Sequence, residues 1–321
     1  PAQTEAVTYI SGRSVALMAL CYLGACLAYR QAASGWRRLL SPLLFAAALL
    51  TKETAWTLPF AILLTEAPRS QASWRDRLWG LRLHWAVLTV AAGAMLTMEG
   101  YRRLLLGSLA IRDLGTNLLT QVGGQFYLLT QPFLLLRMNI DPDLAVLTTV
   151  SPGLALKAAI LLLVMLVGIL QLRRRSWLGA GILWAFLHLL PTNSFLPRLD
   201  VANDRQLYVA LIGPALILAV VLWGRLPRRA AGLATFVLAL GLGVATAERN
   251  LDYQTEVSLW QATARESPNK ARVWNNLGYA YQLSGDIPSA RQAYQRALGL
   301  DPSHVKARIN LDALSRMGEP R

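Results

Sequence analysis

The chain is organised around Leu50-Thr51-Lys52-Glu53-Thr54-Ala55-Trp56-Thr57-Leu58-Pro59, where a cation and an anion stand side by side within an apolar run from Leu39 to Leu64. A charge at the centre of a bilayer costs roughly 2.5–3.5 kcal/mol, so such residues usually sit at a membrane face or line a polar cavity. The run is too long for one typical span of about 20 residues and short for two. We therefore predict two short helices that meet at Lys52-Glu53. A snorkelling interfacial lysine beside a helix-capping neighbour is the alternative.

Composition places the chain among polytopic membrane proteins. Of its 321 residues, 54% are hydrophobic and 16% are charged, whereas soluble domains carry about 25% charged residues. Most of the net charge of +14 lies in residues 1–247, in arginine clusters between apolar runs. The positive-inside rule expects cytoplasmic loops at such clusters. The charge is therefore better explained by membrane topology than by nucleic-acid binding.

Cysteines and histidines indicate no structural metal site. Cys21 and Cys26 lie five apart on one predicted helix and point to different faces. His84, His188 and His304 are scattered without ligand spacing. The sequence has no glycine-rich phosphate-binding loop, and so it does not indicate a soluble nucleotide cofactor. No cofactor is predicted with certainty, and a divalent metal is left open.

Nine apolar segments alternate with these loops: Ser14–Tyr29, Leu39–Leu50, Thr54–Glu66, His84–Met98, Leu118–Leu136, Gly153–Leu170, Trp177–Leu190, Leu207–Trp223 and Ala230–Ala245. The charge rule places both ends of the chain outside, which requires an even number of crossings. Leu118–Leu136 is the most polar and the most broken, so we interpret it as re-entrant or interfacial, leaving about eight crossings. Counting Leu39–Leu64 as one crossing also restores parity, but it moves the loop Arg69–Arg82 outside.

From Ala271 the pattern becomes that of a tetratricopeptide repeat, a helix–turn–helix of about 34 residues. The matching positions are Trp274, Leu277, Gly278, Tyr281, Gly285, Ala290, Tyr294, Ala297 and Pro302. One full repeat, 271–304, is flanked by half repeats, and it must lean on the membrane domain, on a partner or on further repeats. Because repeat surfaces bind proteins, we predict a docking platform, with a lid or spacer as the alternative.

On this topology, polar residues from four segments lie at the outer membrane face. Arg13, Lys52 and Arg205 are candidates to bind a lipid-linked phosphate, because fixed cations match phosphate oxygens. Candidates for the catalytic base are Glu5, Glu53 and Asp204, each of which could equally pair with a neighbouring cation. Candidates for substrate binding are Asn193 and Tyr208.

In this order the segments resemble the family of transmembrane and tetratricopeptide-repeat-containing O-mannosyltransferases and its bacterial relatives. The motifs are Thr4-Glu5-Ala6-Val7-Thr8-Tyr9-Ile10-Ser11-Gly12-Arg13, Leu50-Thr51-Lys52-Glu53, Leu190-Pro191-Thr192-Asn193-Ser194, Asp204-Arg205-Gln206-Leu207-Tyr208 and Trp274-Asn275-Asn276-Leu277-Gly278. Together they span nearly the whole chain. The resemblance implies a GT-C fold, a polyprenyl-phosphate sugar donor, inversion at the sugar carbon, and repeats in the lumen or periplasm.

The chain departs from the family pattern at three points. Asp204 stands where the family usually has Glu, and Asn193-Ser194 reverses the usual order. The acidic pair of the family's first outer loop would precede Pro1. Because the chain opens without Met and without a signal peptide, we expect a fragment whose catalytic acidic loop lies upstream.

The sequence thus predicts an all-α protein with a polytopic membrane helix bundle, 1–247, and an extracytoplasmic repeat region, 248–321. The expected function is sugar transfer from a polyprenyl-phosphate donor to a protein or envelope acceptor. The excess of arginine over lysine favours a bacterial inner membrane, with the tail in the periplasm. Expected partners are lipid, the lipid-linked sugar and a protein, and not nucleic acid. The alternatives are a non-catalytic membrane-anchored repeat scaffold and a lipid-linked oligosaccharide ligase.

Overall fold

The computed structural model describes residues 1–9, 12–31, 37–133 and 138–317, and every regular element in these ranges is a helix. This confirms the all-α prediction. Two sequence predictions fall partly outside the described residues: the end of the segment Leu118–Leu136, from Leu134 onward, and Ile10-Ser11 of the first motif.

Within the described residues, thirteen α-helices precede the repeat tail. They are α1 (Thr4–Thr8), α2 (Arg13–Gln31), α3 (Arg37–Thr51), α4 (Leu58–Glu66), α5 (Trp74–Gly80), α6 (Arg82–Thr97), α7 (Glu99–Leu109), α8 (Leu114–Thr130), α9 (Pro152–Arg173), α10 (Trp177–Leu189), α11 (Leu207–Ala210), α12 (Ile212–Arg225) and α13 (Arg228–Leu251).

Within the described ranges, three of these helices are long and apolar enough to cross a membrane: α2, α9 and α13. Two bent pairs of helices would add up to two more crossings if each pair forms one span. The pairs are α5 with α6, bent by 59°, and the segment Asp204–Ala210 with α12, bent by 49°. The number of crossings supported by helix length and composition is therefore three to five. The eight crossings expected from the sequence stay a prediction.

The two helices predicted to meet at Lys52-Glu53 are confirmed. Helix α3 ends at Thr51, and Glu53–Thr57 form a 3-10 turn before α4 begins. Lys52 between them has an extended backbone, with φ −159° and ψ 132°. Pro59 stands in the first turn of α4, where its missing N–H costs no helical hydrogen bond. The break places the charged pair between two apolar α-helices, outside both of them.

The core of the bundle lies where α2, α3, α4 and α10 pack around Tyr22, Phe45 and Trp184. The Trp184 indole Nε1 donates to the Val209 carbonyl at 2.8 Å and so ties α10 to α11. Helices α10 and α12 cross so closely that a Cβ on Gly213 would clash with the backbone of α10. This tight packing fixes the loop between α10 and α11, which carries most of the candidate site.

The tail consists of α14 (Glu256–Glu266), α15 (Ala271–Leu283), α16 (Ile287–Leu300) and α17 (Val305–Met317). A Cβ on Gly278 would lie 2.7 Å from the ring of Tyr294, which is fully buried. Gly285 makes the turn with φ +85°, a conformation that favours glycine. The helix pair with its flanking helices therefore has the predicted repeat architecture.

The repeat contacts the bundle. This is one of the three kinds of support that the sequence predicts, the others being a partner protein and further repeats. Asp141, in the loop after α8, has a side chain that is 6% exposed and lies 2.6 Å from Lys270 Nζ. Arg272 Nε donates to Asp141 Oδ2 at 2.8 Å. Asn139 Nδ2 donates to Ser267 Oγ at 2.6 Å. The start of α15 is therefore held by a charged contact with the bundle.

Candidate functional site

Five segments that are distant in sequence meet at one end of the bundle. Glu5 of α1 contacts Arg205 of the loop between α10 and α11, and Arg205 lines a cavity together with Lys52. Asp200 of the same loop contacts Arg272 of the repeat, which also contacts the loop after α8. That these segments lie on one side of a membrane stays a prediction.

Three cations line a small cavity at this end. Lys52, Arg198 and Arg205 line a space of about 40 Å³, which is room for about three water molecules. Burial lowers the pKa of Lys52, and the Arg205 and Arg198 charges lower it further, against an opposing effect of Glu53. Neighbouring cations repel one another, so an anion bound in the cavity that they line would be stabilised by all three.

A second, mostly apolar cavity of about 820 Å³ adjoins the first. Thr54 and Arg198 belong to both linings. The rest of its wall comes chiefly from α6 and α7, including Leu88, Met95 and Leu105. The two spaces together can receive a molecule with an anionic head and a long apolar chain.

A pair of buried carboxyl groups lies beside the cationic cavity. Glu5, with a side chain 4% exposed, accepts the backbone N–H of Arg205 at Oε2, at 2.8 Å. Its Oε1 is 3.7 Å from Arg205 Nε. Asp204 is 2% exposed, and its Oδ1 has no hydrogen-bond partner among the described residues. Glu5 thus accepts from the loop that carries Arg205, whereas Asp204, on that loop, accepts from the backbone of Asn139 in the loop after α8.

Both carboxyl groups titrate near neutrality. Burial raises the pKa of Glu5 to about 7, against the opposing charge of Arg205. Asp204 lies in the 3-10 turn before the apolar part of the next helix begins at Leu207, and burial raises its pKa to about 8. The Glu5 charge adds to that rise. Burial thus favours the protonated form of both carboxyl groups, and of Asp204 more than of Glu5.

Helix α8 positions the loop of the site through the polar side chains that made its sequence look broken. Asn117 Nδ2 donates to the Ser194 carbonyl at 2.7 Å, and Gln125 Nε2 donates to the Asn193 carbonyl at 2.6 Å. The Gln121 side chain accepts from Asn193 Nδ2 at 3.0 Å. Helix α8 is not among the candidate spans in the described residues.

The structure brings some of the predicted site residues together and separates others. Lys52 and Arg205 line the cationic cavity, whereas Arg13 is exposed at the start of α2 and is not among its lining residues. Glu53 is exposed and lines the apolar cavity, away from Glu5 and Asp204.

The two residues predicted to bind substrate have contacts within the protein, and their binding of substrate stays a prediction. Asn193 is fully buried, and its amide group also donates to the Val201 carbonyl at 3.0 Å. It therefore anchors the loop. Tyr208 packs against the core, and its carbonyl accepts from Gln3 Nε2 at 3.2 Å.

Three lining residues were missed by sequence reasoning. Arg198 stands in the apolar stretch Phe195–Leu199, where a lone arginine gives no pattern. Tyr22 and His188 are hydrogen-bonded to each other, with 2.9 Å between Tyr22 Oη and His188 Nε2, and both line the cavity. The signal that could have found them is that each is a polar side chain on an apolar helix.

The metal prediction finds limited support in the side chains present. Within the described ranges, no group of three His, Cys, Asp or Glu residues lies close enough to hold a metal ion. Glu5 and Asp204 supply two carboxylates, and Arg205 already contacts one of them. A divalent metal therefore remains a prediction.

Comparison with known proteins identifies the tail and relates the chain to one group of enzymes. A family model described as tetratricopeptide repeat matches residues 271–304, which confirms the predicted repeat. The protein O-mannosyl-transferase Tmtc3 of Drosophila melanogaster is 30% identical over 138 residues, covering 40% of this chain and 15% of that protein. TMTC3 of Homo sapiens is 24% identical over 125 residues, covering 37% of this chain and 14% of that protein.

A second group of relatives has a different description. The peroxisomal targeting signal receptor of Saccharomyces cerevisiae is 40% identical over 80 residues, covering 25% of this chain and 12% of the receptor. No solved structure matches the chain. The chain is therefore distantly and partially similar to repeat-containing O-mannosyltransferases, of which its matches span about 15% or less.

Proposed function

We propose that this chain is the donor-binding part of a membrane glycosyltransferase of the GT-C type, which transfers a sugar from a polyprenyl-phosphate donor to a protein or envelope acceptor. The observation that carries the proposal is the pair of adjoining cavities. A compact group of three cations opens beside an apolar space of about 820 Å³. A polyprenyl phosphate has the same division into an anionic head and a long apolar chain.

The roles of the residues follow from their chemistry. Lys52, Arg198 and Arg205 bind the phosphate and stabilise its charge as it leaves the sugar carbon. The acceptor oxygen forms a bond to that carbon on the opposite face and loses its proton to a carboxylate. Glu5 suits this task better than Asp204, because its pKa of about 7 is the lower of the two and lies close to neutral pH, where a general base works best.

The proposal places the site on the extracytoplasmic face. Residues 1–9, the Lys52 junction and the repeat tail share one end of the molecule. The positive-inside rule assigns that end to the side opposite the arginine-rich loops. In a bacterium this side is the periplasm, and a lipid-linked sugar presented there meets secreted acceptors.

The test is sugar transfer by the full chain in lipid nanodiscs. Polyprenyl-phosphate mannose is the first donor to try, because the Drosophila and human relatives are named as O-mannosyltransferases. Each of Lys52→Ala, Arg198→Ala and Arg205→Ala should lower transfer by at least about tenfold, since a hydrogen bond between charged groups contributes about 1.5–3 kcal/mol.

Arg13→Ala is the matched control, because it removes an exposed arginine from the same end of the bundle without altering the cavity lining. Binding of polyprenol, which lacks the phosphate, should be insensitive to all four substitutions. Transfer at the wild-type rate by both Lys52→Ala and Arg205→Ala would rule out the proposed donor site.

The second candidate function is a membrane-anchored repeat scaffold, which the repeat match at 271–304 favours. A scaffold predicts that partner retention is unaffected by Lys52→Ala and is lost when the surface of the repeat is altered. A lipid-linked oligosaccharide ligase would use the same cations, and analysis of the product separates it, because a ligase transfers a whole glycan.

A further inference from the structure

Asp200 stands between two arginines that belong to different parts of the chain. Its Oδ1 lies 2.6 Å from Nη2 of Arg272, in the first turn of the repeat helix α15. Its Oδ2 lies 4.0 Å from Nη2 of Arg205, in the candidate site. The contact with Arg272 is a close ion pair between a carboxylate and a guanidinium.

Arg272 is itself held in place from the other side. Its Nε donates to Asp141 Oδ2 at 2.8 Å, and its Nη2 pairs with Asp141 Oδ1. The Asp141 side chain is 6% exposed and is also paired with Lys270. The guanidinium of Arg272 is thus fixed where the repeat docks, and its Nη2 contacts both Asp141 and Asp200.

The distances determine which arginine Asp200 neutralises. Coulomb attraction falls with distance, so the carboxylate at 2.6 Å from Arg272 is drawn more strongly there than to Arg205 at 4.0 Å. The three side chains are 28–35% exposed, so water screens them but does not separate them. An unheld Asp200 could move toward Arg205 and occupy the guanidinium that an incoming anion needs.

We propose that Arg272 of the repeat is a positioning residue for Arg205: by holding Asp200 it keeps the Arg205 guanidinium available to the phosphate of the donor. This inference rests on the proposed function, since it assigns a control to the same phosphate site. It makes the docked repeat part of the donor-binding state. By linkage, donor binding must then strengthen docking of the repeat by the same factor.

The test measures the affinity of the full chain in lipid nanodiscs for farnesyl phosphate, a short polyprenyl phosphate. Arg272→Gln should weaken binding about fivefold, because Asp200 then pairs with Arg205. Asp200→Asn should bind at least as tightly as the wild type. The double variant Arg272→Gln/Asp200→Asn should recover to within about twofold of the wild type, because no carboxylate is left to occupy Arg205.

Lys270→Gln is the matched control. Lys270 contacts Asp141 at the same junction and has no ion pair with Asp200 among the described residues, so its loss removes one junction contact while Arg272 still holds both the repeat and Asp200. Its affinity for farnesyl phosphate should equal that of the wild type. A double variant that binds as weakly as Arg272→Gln would overturn the proposal, since Arg272 would then act only by holding the repeat. Wild-type affinity in Arg272→Gln would overturn it as well.

A measurement without donor separates this proposal from the proposed function. The coupling between Asp200 and Arg205 is obtained from a double-mutant cycle on thermal unfolding, once in the wild type and once with Arg272→Gln. The coupling should increase when Arg272 is lost, and an unchanged coupling would contradict the proposal. If wild-type protein binds no farnesyl phosphate, the proposed function fails, while the cycle still decides whether Arg272 holds Asp200 away from Arg205.

Discussion

The seam of the repeat tail and the polar site are both buried, but the residues that form them are separated by very different distances along the chain. The seam of the repeat is formed by residues such as Gly278, Ala290 and Tyr294, which lie within one repeat. The site brings Glu5 against Arg205, 200 residues away. The tail buries apolar side chains, whereas the site buries carboxyl groups next to cations.

This difference separates stability from function. Burying Tyr294 and Ala290 removes apolar surface from water and stabilises the tail. Burying Glu5 and Asp204 disfavours their charged forms and destabilises the fold at neutral pH. A fold that keeps such groups buried must be held by packing elsewhere, which is what the close contact of α10 with α12 provides. Perturbed carboxyl groups of this kind cluster at functional sites.

The largest expected effect is the removal of the acidic group at the site. The pKa of Glu5 is about 7 in the fold against 4.5 as its usual value, so the folded state binds more protons between these pH values. The stability contributed by protonated Glu5 is fully present below about pH 4.5 and is lost as pH rises through 7, a change of about 3 kcal/mol. Glu5→Gln should remove the Glu5 share of this slope in unfolding measured from pH 4 to pH 8, while the share of Asp204, whose pKa burial also raises, should remain.

Glu53→Gln serves as the control for this measurement, because Glu53 is exposed. It makes the same change of side chain outside the buried site. A Glu5→Gln protein that keeps the wild-type slope would mean that Glu5 is not buried as described, and the comparison between a costly site and a stabilising tail would fail.

A smaller effect is expected in the tail. Gly278→Ala places a methyl group 2.7 Å from the Tyr294 ring and 3.2 Å from the Ala290 carbonyl. Overpacking of this kind should destabilise the repeat by about 2 kcal/mol. Hydrogen exchange of α15 and α16 would report it. Gly299→Ala, at an open position on α16, should instead stabilise the helix by up to about 1 kcal/mol. Equal effects of the two substitutions would contradict the close approach.

The smallest effect is expected at the junction between the two regions. Asp141→Asn weakens the pairing with Lys270 and Arg272, and it should loosen docking by about 1 kcal/mol because both cations are partly exposed. Faster hydrogen exchange at residues 267–272 would measure it. Asp143→Asn, at an exposed neighbouring carboxyl group, should have no effect. Similar exchange in both variants would remove Asp141 from the junction.

Helices were read well from the sequence wherever the signal was local. Segments predicted at Gly153–Leu170 and Trp177–Leu190 correspond to α9 and α10, and the break at Lys52-Glu53 follows from charges inside an apolar run. Helix α7 was missed, because it has no buried residue and its apolar side chains line a cavity instead of a core.

The site was predicted less completely because its composition depends on contacts across the chain. Arg13 was chosen for its place in a motif, but Arg198 takes the third cationic position. Glu5, Glu53 and Asp204 were equivalent in the sequence, and only their burial separates two buried carboxyl groups from one exposed one.

The sequence by itself determined the helical class, the break at Lys52 and the repeat at 271–304, because periodicity, charge and small residues at fixed offsets act between neighbours along the chain. The tertiary structure decided which charges meet. Lys52, Arg198 and Arg205 share a cavity, and Asp200 is divided between Arg205 and Arg272, because packing of distant helices sets these distances. The pKa of a buried group and the affinity of an anion site depend on such distances and on the exclusion of water. Neither the distances nor the exclusion of water can be inferred from the order of the residues alone.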